Sequence, residues 1–270
     1  MDNRPIGIFD SGVGGLTVVK EVMKQLPNES IVYFGDTARV PYGNKSKATV
    51  TKFSAQIIKF LRTQHIKAII IACNTVNSNC IEQLREMFGN LIIEGVVEAG
   101  VKMAVDTTKN GRIGVIGTEA TIASKRYTQL INEVNPSFKV YDKACPLFVP
   151  LVEDGWIDGE VTRLVITKYL EPLTTNDIDT LILGCTHYPM LQQTIQSIVG
   201  DTIELINPAN EAAYAMGELL KQRNLQAQGT ATYEFYVSDH AQRMKQMAQM
   251  FLGHPIDEVT RVDIELYSEK

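Results

Sequence analysis

The sequence predicts an α/β protein built from two pseudo-symmetric parallel-sheet lobes with a cleft between them. Three observations carry that prediction. Short apolar runs alternate with stretches of helical periodicity between residues 6 and 206, the alternation of strands and helices that implies a parallel sheet. The alternation restarts at Arg112, so the plan is written twice. The third apolar run of each half ends on a cysteine, Cys73 or Cys185, followed at once by polar residues that can open a helix.

In chain order, IGIFD (6–10) is the first strand, an apolar run too short for a helix, and a helical pattern follows over about 13–26. IVYFG (31–35) and AIIIAC (68–73) are the next strands, separated by a helix over about 46–64; a third helix over about 76–88 leads to LIIEGVV (91–97). The second half begins with RIGVIGT (112–118), a helix near 121–134 and FKVYDKA (138–144). It continues with a helix near 160–170, TLILGC (180–185), a helix near 189–198 and TIELI (202–206). From about 225 the tail reads helix, strand, helix, strand, with YEFYV (233–237) and VTRVDIEL (259–266) as its strands. Placed in register, AIIIACNT (68–75) lies over TLILGCTH (180–187), cysteine on cysteine within a few residues' drift.

Composition narrows the function classes. A chain of 270 residues with 44% hydrophobic content can bury two ordinary cores. The net charge of -5 and pI near 5.5 offer no overall basic field for nucleic acid or an anionic membrane. The start, MDNRPIGIFDSG, lacks a basic segment followed by a long apolar one, and no later run approaches the roughly 18 apolar residues of a membrane span. A cytoplasmic protein is expected. The four cysteines, at 73, 80, 145 and 185, form no C-x-x-C pair, which points to reduced thiols. Cys185 and His187 alone make an i, i+2 pair without a second pair at ligand spacing, so no metal site is expected.

Ligands of open parallel sheets sit outside the carboxyl ends of the strands. Asp10, Ser11, Cys73, Thr118 and Cys185 all fall at such ends. If the lobes pack rim to rim, the two thiols face each other, which suits inversion of a carbon that carries a hydrogen: one base removes the proton from one face and an acid returns one to the other. A thiol shifted towards neutrality serves either role. Asp10 is the candidate helper of Cys73, and His187, assisted by Glu153, that of Cys185. Each has a plainer alternative. Asp10 or Ser11 can cap the following helix, His187 can cap a helix or sit on the surface, Glu153 near a Gly-Trp turn can be solvated, and Cys185 can pack as a small buried hydrophobe. DSGVGG (10–15) fills neither the P-loop nor the dinucleotide pattern; its glycines let backbone N–H groups approach a carboxylate. VPYGNKS (40–46) either offers Tyr42 and the Gly43 amide to a ligand or is a surface turn.

Taken together, DSGVGG (10–15), GDTARVPYG (35–43), ACNT (72–75), GTEATIAS (117–124), ACPLFVPLVE (144–153) and LGCTHYP (183–189) resemble the glutamate racemases of the cofactor-independent aspartate/glutamate racemase superfamily. The likeness runs from about residue 5 to 210. It implies interconversion of L- and D-glutamate, supply of D-glutamate for peptidoglycan and hence cell-wall biogenesis and cell shape, no cofactor, and a homodimer whose partner is a small molecule, not nucleic acid or membrane. The resemblance assigns proton transfer to Cys73 and Cys185, support of Cys73 to Asp10, and support of Cys185 to Glu153 and His187. Its substrate-binding positions are Asp10, Ser11, Tyr42, Gly43, Asn74, Thr75, Thr118, Thr121, Thr186 and His187. It also implies a discontinuous first lobe, 1–98 plus 208–270, with 99–207 as the second. Two departures stand out: Ala99 in VVEAG (96–100), where the family often has proline, and the lack of the N-terminal extension of members activated by a cell-wall precursor, so no such activation is expected. A non-catalytic dicarboxylate binder and a racemase for aspartate are the competing readings; one methylene of pocket depth separates aspartate from glutamate by only about 1–3 kcal/mol.

Overall fold

The computed structural model describes residues 1–268 and places ten strands and eleven α-helices among them. The first six-stranded sheet holds β1 (Ile6–Asp10), β2 (Ile31–Gly35), β3 (Ala68–Ile71), β4 (Ile92–Gly95), β9 (Tyr233–Val237) and β10 (Thr260–Arg261), in the order β10-β9-β2-β1-β3-β4. The second holds β5 (Arg112–Gly117), β6 (Lys139–Ala144), β7 (Thr180–Gly184) and β8 (Glu204–Ile206), in the order β6-β5-β7-β8. Every pairing is parallel. β1 lies between β2 and β3, and β5 between β6 and β7, so each sheet switches direction at its first strand. Crevices form at such switch points. They bring the end of β1 beside the residues after β3, and the end of β5 beside those after β7.

Residues with both faces covered explain the strands. β1, β2, β3 and β7 are buried at every position, as parallel strands sandwiched by helices must be. The first lobe is covered by α1 (Leu16–Gln25), α2 (Lys47–Thr63) and α3 (Asn74–Met87); α2 is capped by Ser46, whose hydroxyl accepts from the Thr49 amide. The second lobe carries α5 (Glu119–Ala123), α6 (Arg126–Val134), α7 (Phe148–Glu153), α8 (Glu160–Thr174) and α9 (Gln192–Val199). α4 (Val96–Thr107) and α10 (Pro208–Gln222) pack on each other where the chain passes between lobes, and α11 (Ala241–Leu252) packs on α1.

One buried apolar cluster runs from Val18 and Val19 of α1 through Ala213 and Phe251 to Phe148, Tyr188 and Cys185 in the second lobe. A second lies between the first sheet and α2 and α3, and contains Cys73. A third, around Val97, Tyr127 and Ile131, fills the space beneath the second sheet.

Several elements differ from the sequence reading. Val96 and Val97 belong to α4, not to the strand, because the extended Gly95 ends β4 and caps the helix. α4 is not among the helices expected from the sequence; it packs on α10 on one side and α6 on another and buries Val96, Val97, Ala99, Gly100, Val101 and Ala104, while Lys102 and Asp106 stay exposed. α10 was likewise unread; Pro208 at its first turn and the Asn207 side chain, accepting from the Ala209 amide, start it. The helix expected over 121–134 is two, broken at Lys125 in a left-handed conformation with φ 56°. α7 forms despite Pro150, which sits in its first turn where no amide is needed. α8 runs past residue 170 to Thr174, and α9 begins at Gln192 after a 3-10 turn, Tyr188–Leu191. In the tail, no helix lies between 225 and 232, and the last strand is only Thr260–Arg261. Asp263 accepts from the Glu265 amide and starts a 3-10 turn, Ile264–Tyr267, that buries Ile264 against the α2 side.

Candidate active site

The carboxyl ends of both sheets open on one cavity of about 500 Å³. Its wall includes Asp10, Ser11, Tyr42, Gly43, Cys73, Asn74 and Thr75 from the first lobe, and Thr118, Glu153, Cys185, Thr186 and His187 from the second. The two sulfurs belong to different apolar clusters, yet both reach this cavity. Thr121 is the one candidate that does not line it. Its buried hydroxyl stands behind the wall, 3.0 Å from the Thr118 hydroxyl and 3.4 Å from that of Thr75, which itself lies 3.0 Å from Thr118 across the lobe boundary.

On the first-lobe side, Cys73 occupies the N-cap position of α3, where backbone N–H groups face the cavity. Its thiol donates to the Ser11 hydroxyl at 3.5 Å. Burial, and then the nearby Asp10 carboxylate, push the Cys73 thiol up to about 12, so it rests protonated. Asp10 accepts from the Gly12 amide at 3.1 Å through Oδ2, while its buried Oδ1 has no hydrogen-bond partner. Burial raises the Asp10 pKa; the charge on His187 and the amides of Gly12, Gly15 and Ser11 act in the opposite direction. Neither Asp10 nor Ser11 caps α1, whose N-cap is Gly15 without a side-chain bond.

Tyr42 is buried rather than part of a surface turn, but its hydroxyl is committed to Asp36, which also accepts from Arg39 Nε at 2.8 Å. It offers the cavity its ring and backbone. A Cβ on Gly43 would stand 3.1 Å from that of Thr118, so glycine lets this loop meet the second lobe. The Asn74 carbonyl accepts from the Tyr127 hydroxyl at 2.7 Å, which fixes the amide.

On the second-lobe side the groups form a chain. Cys185 Sγ lies 4.0 Å from His187 Nδ1, and His187 Nε2 lies 3.0 Å from Glu153 Oε1. Glu153 Oε2 accepts from Arg243 Nη2 at 2.8 Å. Burial opposes charge on the His187 ring, but its bonds to Cys185 and Glu153 outweigh this and hold its pKa at about 10. Burial would raise the Glu153 pKa, yet His187 and Arg243 keep it below the usual value. His187 is buried, edge-on to Phe251 at 5.6 Å, and makes no side-chain cap; Glu153 is paired rather than free in solvent. Thr17 of α1 donates to the Thr186 carbonyl at 3.1 Å and ties this loop to the first lobe.

The sequence reading missed Arg243, which lines the cavity from the tail, and gave no role to Pro146, Val149 and Pro150, which form an apolar part of the wall. The motif ACPLFVPLVE marked the prolines and valine; no local signal marked Arg243. Among the described residues, no group of three or more His, Cys, Asp or Glu could hold a metal ion. Among the same residues, no helix is long and apolar enough to cross a membrane. Chemically, the cavity presents a thiol on each side, a buried carboxyl beside one and a charged imidazole beside the other.

Comparison with known proteins gives this arrangement its context. The family model described as Asp/Glu/Hydantoin racemase matches residues 9–216. A glutamate racemase of Chlorobaculum tepidum is 48% identical over 262 residues, covering 96% of both chains. One from Geobacter metallireducens is 44% identical over 268 residues, covering 98% of this chain and 99% of its own. The crystal structure of glutamate racemase from Francisella tularensis in complex with D-glutamate superposes with a TM-score of 0.93 at 41% identity, covering 99% of this chain and all of that one (100%). With matches of this length and a cleft of this chemistry, the chain belongs to the Asp/Glu/Hydantoin racemase family and is an amino-acid racemase, an isomerase.

Proposed function

We propose that this protein interconverts L- and D-glutamate by two-base proton transfer between Cys73 and Cys185, and that it supplies D-glutamate for peptidoglycan. The observation that carries the reading is the pair of sulfurs, at corresponding strand ends of two similar lobes, on the wall of one cavity. Glutamate is favoured because the relatives named above are glutamate racemases and one of them holds D-glutamate.

In this reading one sulfur enters the cycle as thiolate and the other as thiol. The thiolate takes the proton from Cα and the C–H electron pair stays on the substrate, delocalised into its carboxylate. The opposite thiol then delivers its proton to the other face. The sulfurs end with their protonation exchanged, and turnover of the opposite enantiomer restores them. Asp10 serves Cys73, and His187 with Glu153 serves Cys185, as local holders of a proton or counter-charge. The substrate carboxylate is placed at the amides that open α3 and beside the hydroxyls of Ser11, Thr75 and Thr118, where a helix N-terminus favours an anion. Tyr42 and Gly43 close the cavity over it, Asn74 and Thr186 flank it, and Thr121 backs the threonine cluster.

We assign 1–98 plus 208–270 to the first lobe, supported by the pairing of β9 with β2 and of β10 with β9, and 99–207 to the second. The same reading carries a cytoplasmic homodimer.

The test is circular dichroism on both glutamate enantiomers, without added cofactor, repeated with aspartate. Wild type should racemise glutamate, and Cys73→Ala and Cys185→Ala should each lower kcat/KM by about a hundredfold or more. Each single variant should retain solvent-deuterium exchange at Cα of one enantiomer only. Wild-type racemisation by either variant rejects the two-thiol mechanism. Binding without turnover makes the protein a binder, and faster turnover of aspartate changes the substrate.

A further inference from the structure

Arg243 belongs to the tail, far in sequence from every motif of the site, yet it closes the chain of groups behind Cys185. Glu153 divides its two oxygens: Oε1 faces His187 at 3.0 Å and Oε2 faces Arg243 at 2.8 Å. The same helix, α11, reaches His187 a second time, since Phe251 meets the imidazole edge-on at 5.6 Å. α11 packs on α1 of the first lobe and is anchored by the buried Met244, Met247, Ala248 and Phe251. Glu153 sits on α7 of the second lobe. The proton-holding pair on the second-lobe side is thus gripped by a first-lobe helix.

We propose that Arg243 is a positioning residue for the second base: by fixing Glu153 across the cleft, it holds the His187 ring at Cys185, and it has no such role at Cys73. This rests on the assignment of Cys185 and His187 to one of the two bases. A carboxylate with one cationic partner can rotate about its side-chain torsions; with a second on its other oxygen it is held in one orientation. Cys73 has no corresponding device: Asp10 is held by a backbone amide and leaves one oxygen unbonded. The two bases therefore answer differently to loss of a tail residue.

The charged and titratable groups facing His187 are Cys185, Glu153, Asp10 and, through Glu153, Arg243. Removing Arg243 has two opposed effects on the imidazole. Loss of a nearby cation favours its charged form, but Arg243 has 55% of its side chain exposed, so that repulsion is screened. Loss of the Glu153 orientation weakens the charge-assisted bond to Nε2 and disfavours the charged form. The second effect dominates, so His187 should titrate lower.

The experiment compares Arg243→Ala, Arg243→Gln and Arg243→Lys with wild type. Protein labelled with 15N-histidine is titrated by NMR, with the exposed His65 and His254 as references, and racemisation is followed against pH. In the Ala and Gln variants the His187 midpoint should fall while the references stay. kcat/KM should drop about tenfold or more, the basic limb of the pH profile should move down, and Lys should recover most of both. The thermal midpoint separates this from unfolding, and Gln gives a second reading if Ala does not fold. An unmoved or raised His187 midpoint overturns the inference. So does a rise in KM alone with kcat and the titration unchanged, which would make Arg243 a direct grip on the substrate. If wild type does not racemise glutamate, the functional reading fails instead, whatever His187 does in the titration.

Discussion

At the scale of single residues, the two sulfurs have unlike surroundings despite equivalent places in the two sheets. Cys73 has a buried carboxyl, a serine hydroxyl and the amides of Ser11 and Val76 near it, and burial keeps it a thiol. Cys185 is coupled to a charged imidazole backed by Glu153. That imidazole links pH to stability. The folded state raises the His187 pKa from its ordinary 6.5 to about 10, so its contribution is complete below about pH 6.5 and is lost as pH rises through about 10. The thermal midpoint of wild type should fall over that window, and His187→Gln should flatten the fall. An equal slope in both proteins would show that another group is responsible. Cys73, raised from 9.0 to about 12, takes away stability only as pH rises past about 9, so it adds to the fall only at the upper end of that window.

At the scale of elements, the turn leading into α1 brings the first lobe against Thr186 and His187. A Cβ on Gly14 would collide with the Thr186 hydroxyl and with His187 Nδ1. Gly14→Ala should therefore cost about 1–3 kcal/mol of stability, the usual penalty of overpacking, and displace the imidazole enough to lower kcat/KM at least about tenfold. Gly89→Ala is the control, because a Cβ there meets nothing nearer than 3.6 Å. Urea denaturation and steady-state rates measure both effects; an active, unshifted Gly14→Ala would mean that the turn yields without moving His187. The elements also differ in how visible they were beforehand. β1, β3, β5 and β7 declare themselves because an unbroken apolar run between helices is a local property. α4 and α10 lie outside the alternation that the strands mark, α4 running straight on from β4 at Gly95 and α10 capped by Asn207 just after β8, although each keeps exposed polar residues, Lys102 and Asp106 on α4 and Glu218 and Lys221 on α10.

At the scale of the whole molecule, the tail and the N-terminus are tied to the first lobe by a buried ion pair. Lys67 Nζ lies 2.5 Å from Glu29 Oε2 and donates to the carbonyls of Asp2 at 2.6 Å and Leu225 at 2.8 Å. Glu29 Oε1 accepts from the Ala227 amide at 2.8 Å. Lys67→Met would strand Glu29 in the interior, and breaking one side of a buried pair costs about 3–5 kcal/mol. The urea midpoint should fall accordingly with little change in slope; a loss below about 1 kcal/mol would show that the pair does not hold the tail. The tail in turn carries α11, and with it brings Arg243 to Glu153 and Phe251 to His187.

The amino-acid sequence by itself determined the alternating plan, its repetition, and the identity of the paired residues at the strand ends, Cys73 with Cys185 and Ser11 with Thr118. These follow from interactions between near neighbours in the chain, which leave a readable period. Tertiary structure alone decided that Tyr42 turns its hydroxyl to Asp36, that Thr121 stands behind the cavity wall, and that Arg243 meets Glu153 from 90 residues away. Such contacts depend on how separately formed elements dock, and docking is set by the summed burial of many distant side chains, which no short window of sequence contains.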